Sequence, residues 1–468
     1  MKKLLFSILC AITMFTNTLA FAEVYVEEES FDAPDIQAHS AILMDMKSGR
    51  VIYSKNPDDR LYPASTTKIL TGILALELGD ISEVVTADVA SLAPITNEDS
   101  HMGILIGEQL TMEQLINGML VYSANDAANV IATHISGTSD HFVEIMNKKA
   151  QELGAVNTNF TNTYGIHDDN HYTTASDLAI MSRYAMSNDK FREIVGKKTY
   201  NIPPTNKYTT ERILPSTNLL IGTGRTGKYY FSSTTGIKTG HTNKAGFCLV
   251  SSAEKDGTEF LCIVMKCASQ EICYTDSRAL LDYGFKNYKY QNIVSAGSVV
   301  SDSKVYEAKD DERVGFTVSE DISALLPSGV ELSEVIEKVE DLPEVVKAPI
   351  KKGDVIGKVS YNYKGVMVGH GDLIATNDVD RNVLLFIFHL IVAVLSSPFF
   401  FIPAILVAVL LIIRRINIMK QEKLKRLRRL HARQSNRQMR SGTTSPVNTK
   451  FQDTSVRRRN TPTGRRRK

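Results

Sequence analysis

The most informative part of the 468-residue chain reads Pro63-Ala64-Ser65-Thr66-Thr67-Lys68 and continues into an apolar run at residues 69–78. Proline suits the first turn of a helix, because its φ is already fixed and its missing N–H would have no partner there. The run is apolar on every side, which predicts a buried helix. On that helix the Ser65 hydroxyl and the Lys68 amine share one face within hydrogen-bond reach. Because free N–H groups at a helix start favour a developing oxyanion, the stretch predicts a nucleophile and its base.

Two further motifs follow in the order that this chemistry requires. Residues 123–125 read Ser-Ala-Asn between predicted helices, and residues 238–240 read Lys-Thr-Gly at a predicted strand start. The second hydroxyl could relay a proton to a leaving amine, and the amide could hold a substrate carbonyl. The lysine and the threonine could bind a substrate carboxylate, while the glycine lets a substrate backbone pair along the strand edge. Each motif is weak by itself, but the three in this order indicate an active-site serine.

The chain resembles the low-molecular-weight penicillin-binding proteins, which are serine-type D-alanyl-D-alanine carboxypeptidases. The resemblance rests on the three motifs and on longer segments at residues 142–150, 165–174 and 236–242, and it covers residues 38–285. It implies an α+β fold of the serine β-lactamase and DD-peptidase type, with an antiparallel sheet flanked by helices and a helical subdomain. The β-rich segment that follows resembles the accessory domain of the family.

The resemblance also implies a role for each motif residue. It makes Ser65 the acylated nucleophile, Lys68 the general base and Ser123 a proton relay. The substrate-binding residues would be Asn125, Lys238, Thr239 and Gly240, and the backbone N–H groups of Ser65 and His241 would form the oxyanion hole. Because an exposed lysine is protonated at neutral pH, Lys68 must be desolvated or lie near another cation, for which Lys238 is the candidate. The His241 side chain is interpreted as structural or substrate-lining rather than as a base.

Local patterning predicts the elements around these motifs. Thr111 and Gln114 form a predicted capping box. Residues 279–285 are predicted to close the domain as a helix that ends at Gly284. The other predicted elements are a hairpin at residues 41–54, largely helical structure at 81–150, a polar surface loop at 157–175, a helix at 176–187 and a second hairpin at 246–266.

Both ends of the chain carry predicted appendages. Residues 1–22 have the charged, apolar and small-residue regions of a cleaved signal peptide. A catalytic domain is predicted at residues 38–286, followed by a β-rich domain at 288–375. Residues 383–413 are 31 consecutive residues without Asp, Glu, Lys or Arg. As a helix this segment measures about 46 Å against a hydrocarbon core of roughly 30 Å, which predicts one transmembrane span. Ser397-Pro398 and Pro403 interrupt the segment, which predicts a kink or a short interfacial segment before the span that takes up the extra length.

The final segment, residues 414–468, is strongly basic. It holds 19 Lys and Arg residues against Glu422 and Asp453, a net charge of +17. Since the whole chain carries +2, the remainder carries −15, and the two parts are predicted to face different surroundings. With the body exported, the positive-inside rule places the tail in the cytoplasm. Anionic membrane lipids are the predicted contact of the tail, ahead of an intracellular protein, and no nucleic acid is expected.

The sequence indicates chemistry without a metal or an organic cofactor, because no cluster of His, Cys and Asp has metal-site spacing. The part after the predicted signal peptide holds four cysteines, which are Cys248, Cys262, Cys267 and Cys273. Export would permit disulfides, but the apolar neighbours of these residues favour buried, unreactive thiols. The partners implied by the resemblance are a peptidoglycan stem peptide as substrate and β-lactams as covalent inhibitors.

Two other functions stay open. A membrane-tethered β-lactamase would share the first reaction step, but it needs a second base, usually a glutamate after the Ser-x-Asn motif. No Glu-x-x-x-Asn pattern lies between residues 125 and 238. A membrane-tethered scaffold would bind peptidoglycan without turnover, which the intact nucleophile, base and carboxylate site disfavour. The sequence therefore predicts a carboxypeptidase that removes the terminal D-alanine of stem pentapeptides through an acyl-serine intermediate and that binds penicillin covalently.

Overall fold

The computed structural model of the protein describes residues 31–93, 95–96, 100–222, 227–309 and 312–438. The predicted signal peptide, residues 1–22, lies outside these ranges, and so do residues 439–468 of the basic tail. The described residues form two compact units. The first comprises residues 31–306 and 312–379, and the second comprises residues 307–309 and 380–438.

Strands and helices are numbered here in chain order. The described strands are β1 Ser40–Asp45, β2 Val51–Lys55, β3 Val84–Thr86, β4 Gln109–Thr111, β5 Thr199–Ile202, β6 Arg212–Pro215, β7 Thr234–Thr242, β8 Gly246–Lys255, β9 Thr258–Cys267, β10 Tyr288–Val294, β11 Val299–Tyr306, β12 Arg313–Val318, β13 Ile322–Pro327, β14 Ile336–Glu340, β15 Val346–Lys347, β16 Val355–Tyr363 and β17 Val366–Ala375. The described helices are α1 Lys68–Leu78, α2 Val89–Leu92, α3 Met112–Val121, α4 Asn125–Ser136, α5 Ser139–Leu153, α6 Ala175–Met186, α7 Asp189–Val195, α8 Gln270–Asn287, α9 Val383–Ser396 and α10 Pro398–Gln438.

The centre of the first unit is an antiparallel sheet with the strand order β2-β1-β9-β8-β7. Successive side chains of a strand point to opposite faces of the sheet. In β1, Ile42 and Met44 pack among the helices on one face, while Ala41 and Leu43 pack on the other face with residues of α8. Because both faces of the sheet are covered here, β1 and β9 hold continuous buried apolar runs at residues 41–44 and 260–265, and these strands lie between two helical layers.

Helix α1 is buried, as its apolar sequence predicts. Ile69, Leu70, Ile73 and Leu74 are each at most 2% exposed. Helices α3, α4, α5 and α6 pack around it. Close packing on all sides holds the start of α1 in a fixed position.

The predicted hairpins and the predicted capping box are confirmed. β1 pairs with β2, and β8 pairs with β9. In the second turn, Asp256 and Gly257 have φ values of 52° and 76°, which two-residue hairpin turns favour. At the start of α3, the Thr111 hydroxyl accepts from the Gln114 N–H, and the Gln114 side chain accepts from the Thr111 N–H.

The prediction that a helix ends at Gly284 is wrong. Helix α8 begins at Gln270 and continues through Gly284 to Asn287. A Cβ at Gly284 would lie 2.9 Å from the Phe260 ring. The glycine therefore serves the close approach of α8 to β9 rather than the termination of the helix.

The prediction of a surface loop at residues 157–175 is half wrong, because the segment is irregular but much of it is buried. Thr163 and Thr173 are 0% exposed and His171 is 1% exposed. Their polar groups are paired inside the protein, for example by the bond from the Thr71 hydroxyl to the Thr163 carbonyl at 2.6 Å. Buried polar groups are accommodated when they find such partners.

The part of the first unit from β10 to β17, residues 288–375, is built mainly of strands, as predicted for the accessory domain. One sheet has the strand order β14-β16-β17-β12-β11-β15, and β10 pairs with β13. Two bonds join these strands to the hairpin of β1 and β2. The Tyr290 hydroxyl donates to the buried Asp45 carboxylate at 2.7 Å, and the Arg50 guanidinium donates to the Leu325 carbonyl at 3.0 Å.

The second unit consists mainly of α9 and α10. The two helices are separated at Ser397, whose ψ of 135° is extended, and α10 begins at Pro398. This break agrees with the predicted kink, whereas Pro403 lies inside α10 and does not end it. The predicted segment 383–413 is thus divided between two helices. Among the described residues, one helix, Phe401–Arg433, is long and apolar enough to cross a membrane.

Candidate active site

The turn Ala64–Thr67 brings a serine and a lysine together. It is a 3-10 turn that leads directly into α1, whose first residue is Lys68. The Lys68 Nζ lies 2.8 Å from the Ser65 Oγ, which is the contact expected for residues three positions apart. Ala64 has a φ of +49°, an uncommon conformation for a residue that carries a Cβ. Backbone strain of this kind clusters at functional sites.

The surroundings of the Lys68 amine suit a base. Lys68 is 0% exposed. Its Nζ lies 2.7 Å from the Asn125 Oδ1 and 2.8 Å from the Tyr164 carbonyl oxygen, and both oxygens can only accept. The third neighbour, the Ser65 hydroxyl, can donate. A neutral amine that donates to the two acceptors therefore directs its lone pair toward the Ser65 proton.

The second motif lies where the sequence predicts it, between two helices. Ser123 follows α3, and Asn125 is the first residue of α4. Ser123 is 5% exposed and has a φ of +72°, so it is a second residue of the predicted site with an uncommon backbone conformation. The Asn125 N–H donates to the Ser100 carbonyl at 2.7 Å, which holds the motif against the preceding segment.

The third motif lies on β7, the last strand of the described sheet. A Cβ at Gly240 would lie 2.8 Å from the Pro63 carbonyl oxygen and 3.2 Å from the Ser65 backbone nitrogen. The glycine therefore lets β7 pack against the serine turn. The oxyanion-hole role of the Ser65 and His241 N–H groups stays a prediction. The His241 ring itself is exposed and stacks on Phe247 at 4.1 Å, in agreement with a structural or substrate-lining role.

Lys238 and Thr239 are held by different contacts. The Thr239 hydroxyl lies 2.7 Å from the Thr217 hydroxyl. Lys238 is 1% exposed, and burial lowers its pKa to about 7. Its Nζ donates to the Thr239 carbonyl at 3.0 Å. Because burial explains this pKa, a mutual effect of Lys238 and Lys68 stays a prediction.

Two residues of the site were not predicted from the sequence. They are Tyr164, whose carbonyl oxygen accepts from Lys68, and His171, whose Nε2 lies 2.8 Å from the Thr67 Oγ1. Both come from the buried loop that its polar composition assigned to the surface. The resemblance of residues 165–174 could have directed attention to His171, which lies in that segment. Tyr164 contributes a backbone carbonyl and lies just before it, so the sequence held no signal for it.

The cysteines and the acidic residues do not form a metal site in the part of the chain that the structure describes. All four described cysteines are buried free thiols, as predicted. Burial raises the pKa of Cys248 to about 12 and also raises the pKa of Cys262. Thiols of this kind are poor nucleophiles at neutral pH.

Two known families match the chain in consecutive parts. Residues 27–269 match the family described as D-alanyl-D-alanine carboxypeptidase, which is more than half of the chain. The chain belongs to the D-alanyl-D-alanine carboxypeptidase family. Residues 288–381 match the C-terminal domain of penicillin-binding protein 5. The predicted family, the α+β fold with a C-terminal β domain and the serine-type carboxypeptidase class are thereby confirmed.

Individual members of the carboxypeptidase family are similar over most of the chain. The D-alanyl-D-alanine carboxypeptidase DacF of Bacillus subtilis is 30% identical over 81% of this chain and 95% of its own. The D-alanyl-D-alanine carboxypeptidase DacA of Haemophilus influenzae is 32% identical over 79% of this chain and 92% of its own. The crystal structure of penicillin-binding protein 5 from Haemophilus influenzae has a TM-score of 0.62 at 31% identity and covers 75% of this chain.

Proposed function

We propose that this carboxypeptidase removes the terminal D-alanine from peptidoglycan stem pentapeptides through an ester on Ser65. The observation that carries the proposal is the position of the Lys68 Nζ, 2.8 Å from the Ser65 Oγ and within 2.8 Å of two acceptor oxygens. A lysine so placed is a general base for the serine.

Acylation uses groups from all three motifs. Lys68 takes the Ser65 proton, and the Oγ attacks the carbonyl of the penultimate D-alanine. The backbone N–H groups of Ser65 and His241 stabilise the oxyanion that forms. Ser123 relays a proton to the leaving amine, so that free D-alanine departs as the acyl-serine bond forms. The Asn125 amide, which faces the Lys68 amine, holds the substrate backbone.

Recognition of the substrate depends on its free carboxylate. We infer that Lys238 and Thr239 bind it, while Gly240 leaves room for the substrate beside β7. With a pKa near 7, Lys238 gains and loses its proton readily at neutral pH. A bound carboxylate favours the charged amine, so substrate binding raises the pKa of Lys238.

Deacylation separates this activity from that of a β-lactamase. Water must attack the acyl-Ser65 ester, and penicillin blocks the reaction when its ester is hydrolysed slowly. The chain lacks a Glu-x-x-x-Asn pattern between residues 125 and 238, the pattern that would supply a second base. We therefore infer that β-lactams remain bound to Ser65.

The location proposed for the enzyme is the outer face of the cell membrane. The apolar helix Phe401–Arg433 would anchor the chain as a single-pass protein, with the first unit outside and the basic tail inside. The Lys and Arg residues that follow the apolar part would bind anionic lipid headgroups. No nucleic-acid partner is proposed.

The test uses the purified full-length protein in detergent micelles. A peptide ending in D-alanyl-D-alanine is incubated with the protein, and free D-alanine is measured for the unmodified chain and for Ser65→Ala. Release that the substitution abolishes supports the proposal. No release, or equal release from both, contradicts it. Labelling with a fluorescent penicillin, located on the Ser65 peptide by mass spectrometry, tests penicillin binding separately.

A further inference from the structure

A series of hydrogen bonds connects the buried loop to the turn before Ser65. The Thr161 N–H donates to the His171 Nδ1 at 3.0 Å. Because a backbone N–H only donates, Nδ1 is an acceptor, and the proton of the neutral ring lies on Nε2. Nε2 lies 2.8 Å from the Thr67 Oγ1 and therefore donates to it. The Thr67 hydroxyl donates in turn to the Ala64 carbonyl oxygen at 2.8 Å.

The last acceptor in this series belongs to the peptide unit that supplies the Ser65 N–H. The Ala64 carbonyl and the Ser65 N–H lie in one plane, so fixing the oxygen fixes the direction of the N–H. Gly165 packs on the same carbonyl, since a Cβ there would lie 1.8 Å from the Ala64 oxygen. Thr67 and Gly165 together prevent rotation of this peptide, which the positive φ of Ala64 would otherwise favour.

We propose that His171 is a positioning residue for the oxyanion hole, acting through Thr67 on the peptide between Ala64 and Ser65. The inference rests on the proposed role of the Ser65 N–H as an oxyanion donor, and it assigns functions to His171 and Thr67, to which the sequence analysis gave no role. It requires the neutral ring with its proton on Nε2. A doubly protonated ring would direct a second N–H at the Thr161 N–H, and the series of bonds would break.

The surroundings of His171 keep the ring neutral. It is 1% exposed, and burial lowers its pKa to about 4. A proton on Lys68 or on His167 would act in the same direction, while the Asp168 carboxylate opposes it. The ring also packs edge-on against Phe160, with centroids 5.4 Å apart. If His171 served only in packing, its loss would lower the thermal stability of the protein. The test must therefore separate an effect on thermal stability from an effect on the acylation rate.

The test compares two buried threonines, Thr67 at the end of the 3-10 turn and Thr71 in the first turn of α1. Thr67→Val removes the relay hydroxyl while keeping the shape of the side chain, and Thr67→Ser retains the hydroxyl. The matched control is Thr71→Val, because the Thr71 hydroxyl donates to the Thr163 carbonyl of the same loop at 2.6 Å but does not contact the serine turn. Acylation of the full-length protein by a fluorescent penicillin is followed at several concentrations, which gives the rate at saturation and the non-covalent dissociation constant.

We expect Thr67→Val to lower the saturating acylation rate about 10- to 100-fold, as a small misplacement of a catalytic group does. The dissociation constant should change little, because the carboxylate site on β7 is intact. Thr67→Ser should acylate nearly as fast as the unmodified protein. Thr71→Val should lose thermal stability and keep its rate.

His171 itself is tested by His171→Gln, which keeps an N–H donor for Thr67, and His171→Leu, which does not. The glutamine variant should retain much more of the acylation rate than the leucine variant. In a Thr67→Val background the two should acylate equally, because the relay is already broken.

Three results would overturn the inference: unchanged acylation in Thr67→Val, an equal loss in Thr71→Val, or a His171 effect that persists in full without the Thr67 hydroxyl. Acylation of Ser65 without D-alanine release would refute the proposed function alone, because the penicillin comparison needs no peptide substrate.

Discussion

Gly240 lies against the backbone of Ser65 so closely that a Cβ on the glycine would be 3.2 Å from the serine nitrogen. The same Cβ would be 2.8 Å from the Pro63 carbonyl oxygen, a distance that real Cβ atoms do not adopt. The carboxylate site proposed on β7 and the nucleophile proposed on the 3-10 turn are therefore held at a fixed distance from each other. No side chain can be added between them without moving one element.

Gly240→Ala should slow acylation about 100-fold. The added Cβ would displace β7 by up to about 1 Å, which would separate the proposed oxyanion donors, the N–H groups of Ser65 and His241. The substitution leaves the buried helical core untouched, so the melting temperature should fall only slightly. Stopped-flow acylation by a fluorescent penicillin and a thermal melt measure the two quantities. An acylation rate equal to that of the unmodified protein would show that the strand and the turn are not held in this spacing.

The buried Lys238 makes stability depend on pH. Its pKa is lowered to about 7 in the folded protein, whereas the pKa of a lysine in an unfolded chain is about 10.4. Between these values the unfolded chain binds more protons, so the contribution of Lys238 to stability becomes more favourable as the pH rises from about 7 toward about 10. Below about 7 both states hold the proton, and the full penalty of a buried charge applies.

Lys238→Met lacks this titration. The melting temperature of the unmodified protein minus that of the variant should therefore increase between about pH 6 and about pH 9. The control is Lys255→Met, since Lys255 is exposed at the end of β8. A constant difference for Lys238→Met across the range would contradict a lowered pKa.

Tyr290 joins the β domain to the central sheet through a buried acceptor. Its hydroxyl donates to Asp45, which is 0% exposed. Tyr290→Phe should lower the free energy of unfolding by about 1.5–3 kcal/mol, the usual range for a hydrogen bond to a charged group. Release of D-alanine should be unchanged, because neither residue belongs to the three motifs.

Tyr361→Phe is the matched control for that prediction. The Tyr361 hydroxyl donates to Glu337 at 3.1 Å within the β domain, and Glu337 is exposed. Water can replace this donor, so the loss of stability should be smaller. Denaturant titration measures the free energy of unfolding of both variants. If Tyr290→Phe and Tyr361→Phe lower it equally, burial of the Asp45 carboxylate has no effect on the strength of the hydrogen bond.

The sequence was most informative where the chemistry is local. Ser65 and Lys68 lie three positions apart at the start of an apolar helix, and helix geometry alone brings them to 2.8 Å. The same holds for the turn at Asp256 and Gly257, whose residues adopt the backbone conformation that the turn requires. These predictions needed no knowledge of distant partners.

The wrong or missing predictions concern residues whose contacts are made by distant parts of the chain. His171 and Tyr164 lie about a hundred positions from the groups they contact, and their polar neighbours suggest exposure until those partners are known. Gly284 resembles a helix terminator because glycine often is one. Its actual reason, the Phe260 ring on β9, belongs to another element.

The burial of the four thiols, Cys248, Cys262, Cys267 and Cys273, shields them from reagents in the surrounding solution while the protein is folded. The described thiols contribute to the core as small apolar side chains and form no disulfide there. A thiol reagent added to the native protein can react only when the core opens. The rate at which a thiol reagent labels these cysteines therefore reports how often the core around the central sheet opens.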